Sequence, residues 1–149
     1  MRVHLDNCCF NRPYDDQSSV RISLESQAKL EIQALIKDGE IELATSYMLQ
    51  FENDQNPYEM RRNATAAFAK SFSAIHIGAD RSDEVGRIAE TITRTGVKAK
   101  DAIHVASAIA ANCDYFISTD DRLLKYATDD IALVNPMEFI RLEMRNDDD

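Results

Sequence analysis

Acidic residues follow two short apolar segments of this sequence. Asp6 ends the segment that begins at Arg2, and Asp120 and Asp121 end the segment that begins at Asp114. If the two segments are neighbouring strands of a parallel sheet, their carboxylates face one crevice at the carboxyl edge of that sheet, where such folds bind ligands. Asp101, in the first turn of the helix before the second of these strands, is expected at the same edge. Each residue alone has a structural explanation as a cap or helix-dipole partner, so the prediction of a site depends on their convergence.

A cluster of this kind has a definite chemistry. Carboxylates a few ångströms apart repel one another and raise one another's pKa unless a divalent cation neutralises them. Oxygen donors without His or Cys beside them favour Mg²⁺ or Mn²⁺ over Zn²⁺. Such an ion activates a water molecule and neutralises charge that develops on phosphate. The pattern therefore indicates hydrolysis of a phosphodiester.

The elements that must position these residues are predicted from alternating apolar runs and helical segments, a pattern typical of an α/β fold. We expect a three-layer sandwich with a central, mainly parallel five-stranded sheet. The predicted strands are residues 2–6, 41–45, 74–77, 114–121 and 131–134. The predicted helices are residues 20–37, 46–52, 57–72, 80–95 and 100–112, with a last one from Pro136.

Local signals set several of these boundaries. Pro13 predicts an irregular segment after Asp6, because proline lacks the N–H of regular structure. Ser18 or Ser19 and Ser46 are candidate helix caps, and Pro57 is expected at the first position of its helix. Residues 20–37 are expected to bury a broad apolar face, which consists of Ile22, Leu24, Ala28, Leu30, Ile32, Leu35 and Ile36.

Length and charge exclude several classes of protein. The 149 residues fit a single domain, residues 1–145, followed by an acidic, flexible tail at residues 146–149. A net charge of −9 argues against broad electrostatic coating of nucleic acid. The three cysteines form no disulfide framework, and no segment approaches the ~18 apolar residues of a membrane span. A cytoplasmic location is expected.

Five segments together resemble the PIN-domain nucleases, and among them the VapC-type ribonuclease toxins of bacterial toxin–antitoxin pairs. The first motif is Val-His-Leu-Asp, which ends at Asp6, and the second runs from Thr45 to Glu52 with a Ser six residues before the Glu. The third is Lys-Asp-Ala-Ile-His-Val-Ala-Ser-Ala around Asp101, and the fourth extends from Asp114 to Leu124. The fifth, from Leu133 to Phe139, is similar to the last strand and helix of the family.

The resemblance implies a function and a set of site residues. It implies a metal-dependent endoribonuclease in which Asp6, Glu52, Asp101 and Asp120 are the catalytic residues and hold Mg²⁺ or Mn²⁺. Glu52 and the choice of RNA come from the resemblance alone, and Asp120 is preferred to Asp121 because an ungapped match places it at the acidic position. A small antitoxin that covers the site and a homodimer are also expected.

Some positions depart from the family or have alternative roles. Asn7 and Cys8 follow Asp6 where the family commonly has Thr or Ser, and Asp121 is a candidate for an outer contact. His104 is either a proton shuttle or, as we favour, a partly buried His paired with a local polar group. Tyr14 is able to stack on a base. The cations best placed to meet phosphate are Arg12, Arg61, Arg62, Lys98 and Lys100.

The sequence is also compatible with two alternative functions. One is a non-catalytic PIN-like module that binds RNA or protein. The other is a receiver-type signalling domain, which is also a small acidic α/β protein with carboxylates at strand ends. A receiver requires a phosphoacceptor Asp after the third strand, where this sequence has Ile77 and Gly78.

Overall fold

Five parallel strands form the centre of the molecule. The structure is a computed structural model that describes residues 1–148, with side chains to residue 143. The strands are β1 (Arg2–Leu5), β2 (Glu42–Ser46), β3 (Ser73–Ile77), β4 (Tyr115–Ile117) and β5 (Ala132–Val134). Their order is β3-β2-β1-β4-β5, and every neighbouring pair is parallel. The predicted fold class is confirmed, and so is the pairing of β1 with β4.

Helices cover both faces of this sheet. In residues 1–148 they are α1 (Asn7–Asn11), α2 (Val20–Lys37), α3 (Tyr47–Asp54), α4 (Glu59–Phe72), α5 (Ser82–Thr93), α6 (Ala99–Ala110), α7 (Asp121–Leu124) and α8 (Pro136–Asp148). On one face, α5 and α6 bury Val85 and Val105 against Phe116 of β4. On the other, α2 and α8 bury Ile32 and Phe139 against Leu5 of β1. These are the three predicted layers.

The strand order excludes the receiver-type alternative. Flavodoxin-like folds, to which receivers belong, have the order 2-1-3-4-5 with the first strand beside the third. Here β1 lies between β2 and β4, and β3 is at the edge. The phosphoacceptor Asp after the third strand is also missing, because β3 ends at Ile77 and is followed by Gly78.

Three local predictions are wrong at the level of a few residues. The segment after Asp6 is helical, since α1 begins at Asn7, and Pro13 is the second residue of a 3₁₀ turn, Arg12–Tyr14, a position where a missing N–H is tolerated. Pro57 precedes α4, which begins at Glu59. The predicted strand at 114–121 is regular only over Tyr115–Ile117.

The helix caps, in contrast, are confirmed. Ser19 precedes α2, and its Oγ accepts a hydrogen bond from Ile22 N at 3.4 Å. Ser46 precedes α3, and its Oγ accepts from Leu49 N at 3.2 Å. Ser46 ends β2, so this cap makes α3 begin directly at the carboxyl edge of the sheet.

The prediction of which residues α2 buries is partly wrong. Leu24 and Leu30 are 46% and 52% exposed, whereas Glu25 and Lys29 are buried. Glu25 is buried because Arg12 and Arg21 form ion pairs with it at 2.9 and 3.4 Å. One of these cations lies outside the helix, so helical periodicity alone does not identify which side of α2 is buried.

Two predictions concern the chain as a whole: an acidic tail and the absence of a membrane span. The acidic tail at residues 146–149 falls outside the residues whose side chains are described, and the boundary at residue 145 stays a prediction. Within residues 1–148, no helix combines the length and apolar character needed to cross a bilayer.

Candidate active site

The four acidic residues predicted as a site line one cavity at the carboxyl edge of the sheet. Asp6 follows β1, Glu52 lies on α3, Asp101 is in the first turn of α6, and Asp120 precedes α7. The cavity has a volume of about 530 Å³. Asp121 points elsewhere: its exposed carboxylate forms an ion pair with Arg21 at 2.6 Å. The structure thus brings together residues from four separate elements.

Asp6 is the most fixed of the four. Its side chain is 7% exposed, and its Oδ1 accepts a hydrogen bond from Asn7 N at 2.8 Å. Its Oδ2 accepts from Ser118 Oγ at 2.8 Å and from Cys8 Sγ at 3.4 Å. The backbone N of Asp6 also donates to Ile117 O at 2.9 Å, which ties the end of β1 to the end of β4. Charge-assisted bonds of this kind hold a carboxylate in one orientation.

Asp120 has a second role as a helix cap. Its Oδ1 accepts from Arg122 N at 3.0 Å and from Leu123 N at 3.4 Å, at the start of α7. Its own N donates to Ser118 Oγ at 3.1 Å, so Ser118 contacts both Asp6 and Asp120. The resemblance places Ser118 in the fourth motif, where the family often has Thr, but it did not predict these two contacts. Its position two residues before Asp120, at the end of a strand, was the available signal.

Glu52 is paired with a buried histidine. His104 Nε2 lies 2.6 Å from Glu52 Oε1, and the His104 side chain is 1% exposed. Burial favours the neutral form of His104, but the hydrogen bond to Glu52 and the charges of Asp6, Glu52 and Asp101 outweigh it and raise the pKa of His104. Burial raises the pKa of Glu52, whereas the bond and charge of His104 dominate and lower it. His104 is paired with a polar group, as expected, but the predicted local partner is wrong, because Glu52 lies on another helix, and the side chain is fully rather than partly buried.

Asp101 shows the electrostatic cost of the cluster. Its pKa is raised, first by partial burial and then by the negative charges of Asp6, Asp120 and Glu52, while His104 acts in the opposite direction. Close carboxylates disfavour one another's ionised form in this way. A bound cation would remove the repulsion, so the electrostatics of the cavity suit a positively charged ligand.

The donor set fits Mg²⁺ or Mn²⁺ in kind, since all four residues offer carboxylate oxygens. The side chains do not surround one ion as they stand: among the described residues, no three His, Cys, Asp or Glu side chains are close enough together to do so. The reason is local, because Asp6 and Asp120 accept hydrogen bonds from protein donors and Glu52 is paired with His104. Coordination by three of them therefore requires side chains to rotate.

The cavity also contains residues that sequence reasoning did not assemble. Tyr58 and Arg61, near the start of α4, line it together with Asn7, Asn11 and Cys8. Of the cations expected to meet phosphate, Arg61 is in the cavity, while Arg12 is occupied by Glu25 and Asp15. No signal in the sequence pointed to Tyr58, because it follows a loop whose course spacing does not predict.

The pairing of His104 predicts an unusual histidine titration. His104 should titrate above its ordinary pKa of 6.5. His4, which is buried and near the charge of His104, should stay neutral across the same range, because its pKa is lowered to about 3. Since a raised pKa in the folded state stabilises the fold at low pH, the contribution of His104 is complete below pH 6.5 and is lost as the pH rises through the folded value. Proton NMR of the ring signals measures both midpoints.

The control for this titration is Glu52→Gln, which removes the partner's charge but keeps its shape. The midpoint of His104 should then fall, while the signal of His4 should stay flat. A His104 midpoint that is unchanged in Glu52→Gln would contradict the assigned cause.

A PIN-like α/β fold is the class that this architecture defines. A chain of the VapBC2 structure from Rickettsia felis, bound to a DNA fragment from its promoter, is similar over 91% of this chain and 98% of that one, with a TM-score of 0.54 and 15% identity. A chain of FitAcB from Neisseria gonorrhoeae is similar over 90% of this chain and 97% of that one, with a TM-score of 0.57 and 17% identity. A chain of FitAB bound to an IR36 DNA fragment is similar over 91% of this chain and 95% of that one, with a TM-score of 0.55 and 17% identity.

The similarity is one of fold. At these identities it establishes a shared architecture rather than shared chemistry. No protein-family model matches the chain, and no curated protein matches its sequence.

Proposed function

We propose that the protein is a metal-dependent endoribonuclease that hydrolyses RNA phosphodiester bonds, as the toxin of a toxin–antitoxin pair. One observation carries this proposal: four carboxylates, from four different elements, line one cavity at the carboxyl edge of a PIN-like sheet. The fold likeness to VapBC2 and FitAB supports it. The choice of RNA as substrate follows from the resemblance of the sequence motifs to VapC-type ribonucleases.

In this proposal Asp6, Glu52, Asp101 and Asp120 would hold Mg²⁺ or Mn²⁺. The ion, when bound, activates water and neutralises charge on the phosphate. Ser118 fixes the orientation of Asp6 by donating to its Oδ2, and it contacts the backbone of Asp120 as well. Mutation of a supporting contact of this kind commonly lowers metal affinity or activity by about 10- to 100-fold.

His104 would act as a positioning residue for Glu52. Its Nε2 holds Glu52 Oε1, and its burial beneath the cavity leaves it little freedom to move. This contact fixes Glu52 on the side of the cavity formed by α3 and α6.

A second candidate function is a non-catalytic PIN-like module that binds RNA or protein. The observation that favours it is the engagement of Asp6, Glu52 and Asp120 with protein donors, which leaves no three acidic side chains around one point among the described residues. Metal titration separates the two candidates. The nuclease requires a saturable Mn²⁺ site that depends on the carboxylates, and the module has none.

The direct test is an RNA cleavage assay on the purified protein, without any copurified inhibitor. One arm contains Mg²⁺, one Mn²⁺ and one a chelator. We expect cleavage with either metal and none with the chelator. RNA that stays intact in all three arms, with protein whose folding has been verified by circular dichroism, would rule out the nuclease.

The partners follow from the same proposal. A small antitoxin would cover the cavity, and two copies of the chain would form a homodimer. Expression of the chain alone should arrest growth of the host if it is a toxin, and sedimentation of the purified 16.8 kDa chain measures whether it dimerises. Normal growth at high expression would contradict the toxin role, and a monomer would contradict the dimer.

A further inference from the structure

Tyr58 and Arg61 form one wall of the carboxylate cavity, and the ring of Tyr14, outside the lining, contacts the same guanidinium. The guanidinium carbon of Arg61 lies 4.4 Å from the ring centre of Tyr58 and 5.3 Å from that of Tyr14. Arg61 Nη2 also donates to Tyr14 O at 3.0 Å. A guanidinium over an aromatic face is attracted by the ring and limits its motion. The wall is therefore ordered by contacts within the protein.

The segments that carry this wall are tied together as well. Asn56 Nδ2 donates to Asn11 Oδ1 at 3.0 Å, which joins the α3–α4 loop to the end of α1. The side-chain oxygen of Asn56 accepts from Tyr58 N at 3.0 Å and fixes the backbone just before α4. Tyr58 is thus held through its backbone by Asn56 and through its ring by Arg61.

Tyr58 is nevertheless largely open to solvent. Its exposed fraction is 59%, although it is a large aromatic residue that lines the cavity. A ring that is fixed in place but not covered has already lost most of the freedom that binding would cost it. Stacking of a nucleobase on such a ring depends on the π-face that all bases share. The geometry is that of a preformed stacking platform.

The lining of the cavity offers a cation to a phosphate, and this cation lies beside Tyr58, whereas the acids of the lining need a bound cation to balance their charge. Among the described residues that line the cavity, Arg61 is the one cation, and Asp15, which also lines the cavity, forms an ion pair with it at 3.9 Å. The remaining charged residues of the lining are the four site acids, which suit a cation. A single nucleotide carries both groups that these residues would bind, a phosphate for Arg61 and a base for Tyr58.

We propose that Tyr58, backed by Arg61, is the stacking site for an unpaired base of the substrate, beside the phosphodiester that the carboxylates would hold. This inference rests on the proposed nuclease function and names its substrate class as single-stranded RNA. A duplex cannot use the site, because its bases are already stacked and paired. Tyr58 and Arg61 are then the residues that select single-stranded over duplex RNA.

The test is equilibrium binding of fluorescein-labelled RNA in a chelator, so that no cleavage occurs. The probes are a mixed-sequence single strand and the duplex of the same sequence, read by fluorescence anisotropy. We expect Tyr58→Leu to weaken binding of the single strand by roughly 10-fold and to leave duplex binding unchanged, while Tyr58→Phe keeps wild-type affinity. Arg61→Ala should weaken binding of the single strand and reduce the slope of log affinity against log salt by about one.

A matched control is Met60→Ala, since Met60 is 74% exposed, lies on α4 and does not line the cavity. This variant should bind as the wild type does. Tyrosine emission gives a second measurement, because the chain has five Tyr and no Trp. Quenching by the single strand should be smaller in Tyr58→Leu than in the wild type, because the variant lacks the ring on which the base would stack.

The outcomes separate this inference from the proposed function. Single-strand binding that is equal in Tyr58→Leu and the wild type overturns the stacking site, even if the wild type cleaves RNA with Mn²⁺. Binding that depends on Tyr58 in a protein that cleaves nothing supports the stacking site and rules out the nuclease. A wild type that binds no RNA in chelator overturns the stacking site, and the cleavage assay then decides the nuclease separately.

Discussion

Replacing Asp101 with Asn should reduce Mn²⁺-dependent RNA cleavage by at least about 100-fold, because a metal centre is worth several kcal/mol of transition-state stabilisation. Asp101 is a site acid whose pKa is raised, first by burial and then by the charges of Asp6, Asp120 and Glu52. Initial rates of cleavage with saturating Mn²⁺ measure the effect. Asn keeps the shape of the side chain but removes its charge.

The same variant should be at least as stable as the wild type when no metal is present. Ionised Asp101 is disfavoured in the folded protein, so its charge destabilises the fold at neutral pH, and removing it relieves the repulsion. Mn²⁺ should then raise the melting temperature of the wild type more than that of the variant, because an ion stabilises the state that binds it. Thermal melts in chelator and in Mn²⁺ measure both effects.

The matched control is Asp83→Asn, an exposed position in the first turn of α5. It makes the same chemical change outside the cavity and should cleave as the wild type does. If Asp101→Asn cleaves as fast as Asp83→Asn, Asp101 is not part of the site. If Asp101→Asn melts well below the wild type in chelator, its loss of activity reflects damage to the fold.

The sequence was sufficient to predict the edge of the sheet where the acids meet. Parallel strands share one carboxyl edge, and the short apolar segments before Asp6 and Asp120 are local signals that need no knowledge of the rest of the chain. Ser19 and Ser46 act as caps through contacts three residues away, so they too are predictable. The cap at Ser46 sets where α3 begins and so places Glu52 near the edge of the sheet, but the assignment of Glu52 to the site came from the family resemblance.

The features that sequence reasoning missed depend on partners far apart in the chain. His104 and Glu52 are 52 residues apart, and the contact between them exists only because α3 and α6 meet above the sheet. Tyr14, in the 3₁₀ turn, and Tyr58, just before α4, contact Arg61 from two segments far apart in the chain. Hydrogen bonds from Ser118 and from backbone N–H groups to the acids are likewise products of the folded geometry. Spacing therefore predicts which residues approach the site, but not which atoms they bond.

Glu25 is the clearest case of a tertiary contact that overrides a local pattern, and its loss should cost the most stability. Its side chain is fully buried on α2, and its Oε1 accepts from Arg12 Nε at 3.0 Å. Its Oε2 accepts from Arg21 Nε at 3.4 Å and from Asn135 Nδ2. Four segments therefore meet at one carboxylate: the 3₁₀ turn, α2, the start of α8 and, through Arg21 and Asp121, α7.

We expect Glu25→Ala to lower the free energy of unfolding by about 2–4 kcal/mol, because Arg12, Arg21 and the amide of Asn135 lose a shared acceptor, although Arg12 keeps Asp15 and Arg21 keeps Asp121. For a domain of this size that corresponds to a fall in melting temperature of roughly 5–15 °C. Glu25→Gln keeps the volume and one acceptor oxygen, so it should lose less, about 1–3 kcal/mol. Urea unfolding followed by circular dichroism measures both values.

Glu31→Ala is the control, since Glu31 is an exposed position on the same helix. It should unfold within about 0.5 kcal/mol of the wild type, as surface substitutions usually do. Because Arg12 also pairs with Asp15, which lies 3.9 Å from Arg61, the loss of Glu25 should loosen the aromatic wall before the carboxylates. At a temperature where Glu25→Gln is folded, weaker binding of single-stranded RNA with an unchanged Mn²⁺ affinity would show that this buried ion pair supports the wall. Equal stability of Glu25→Ala and Glu31→Ala would show instead that the four segments are held by their apolar contacts alone.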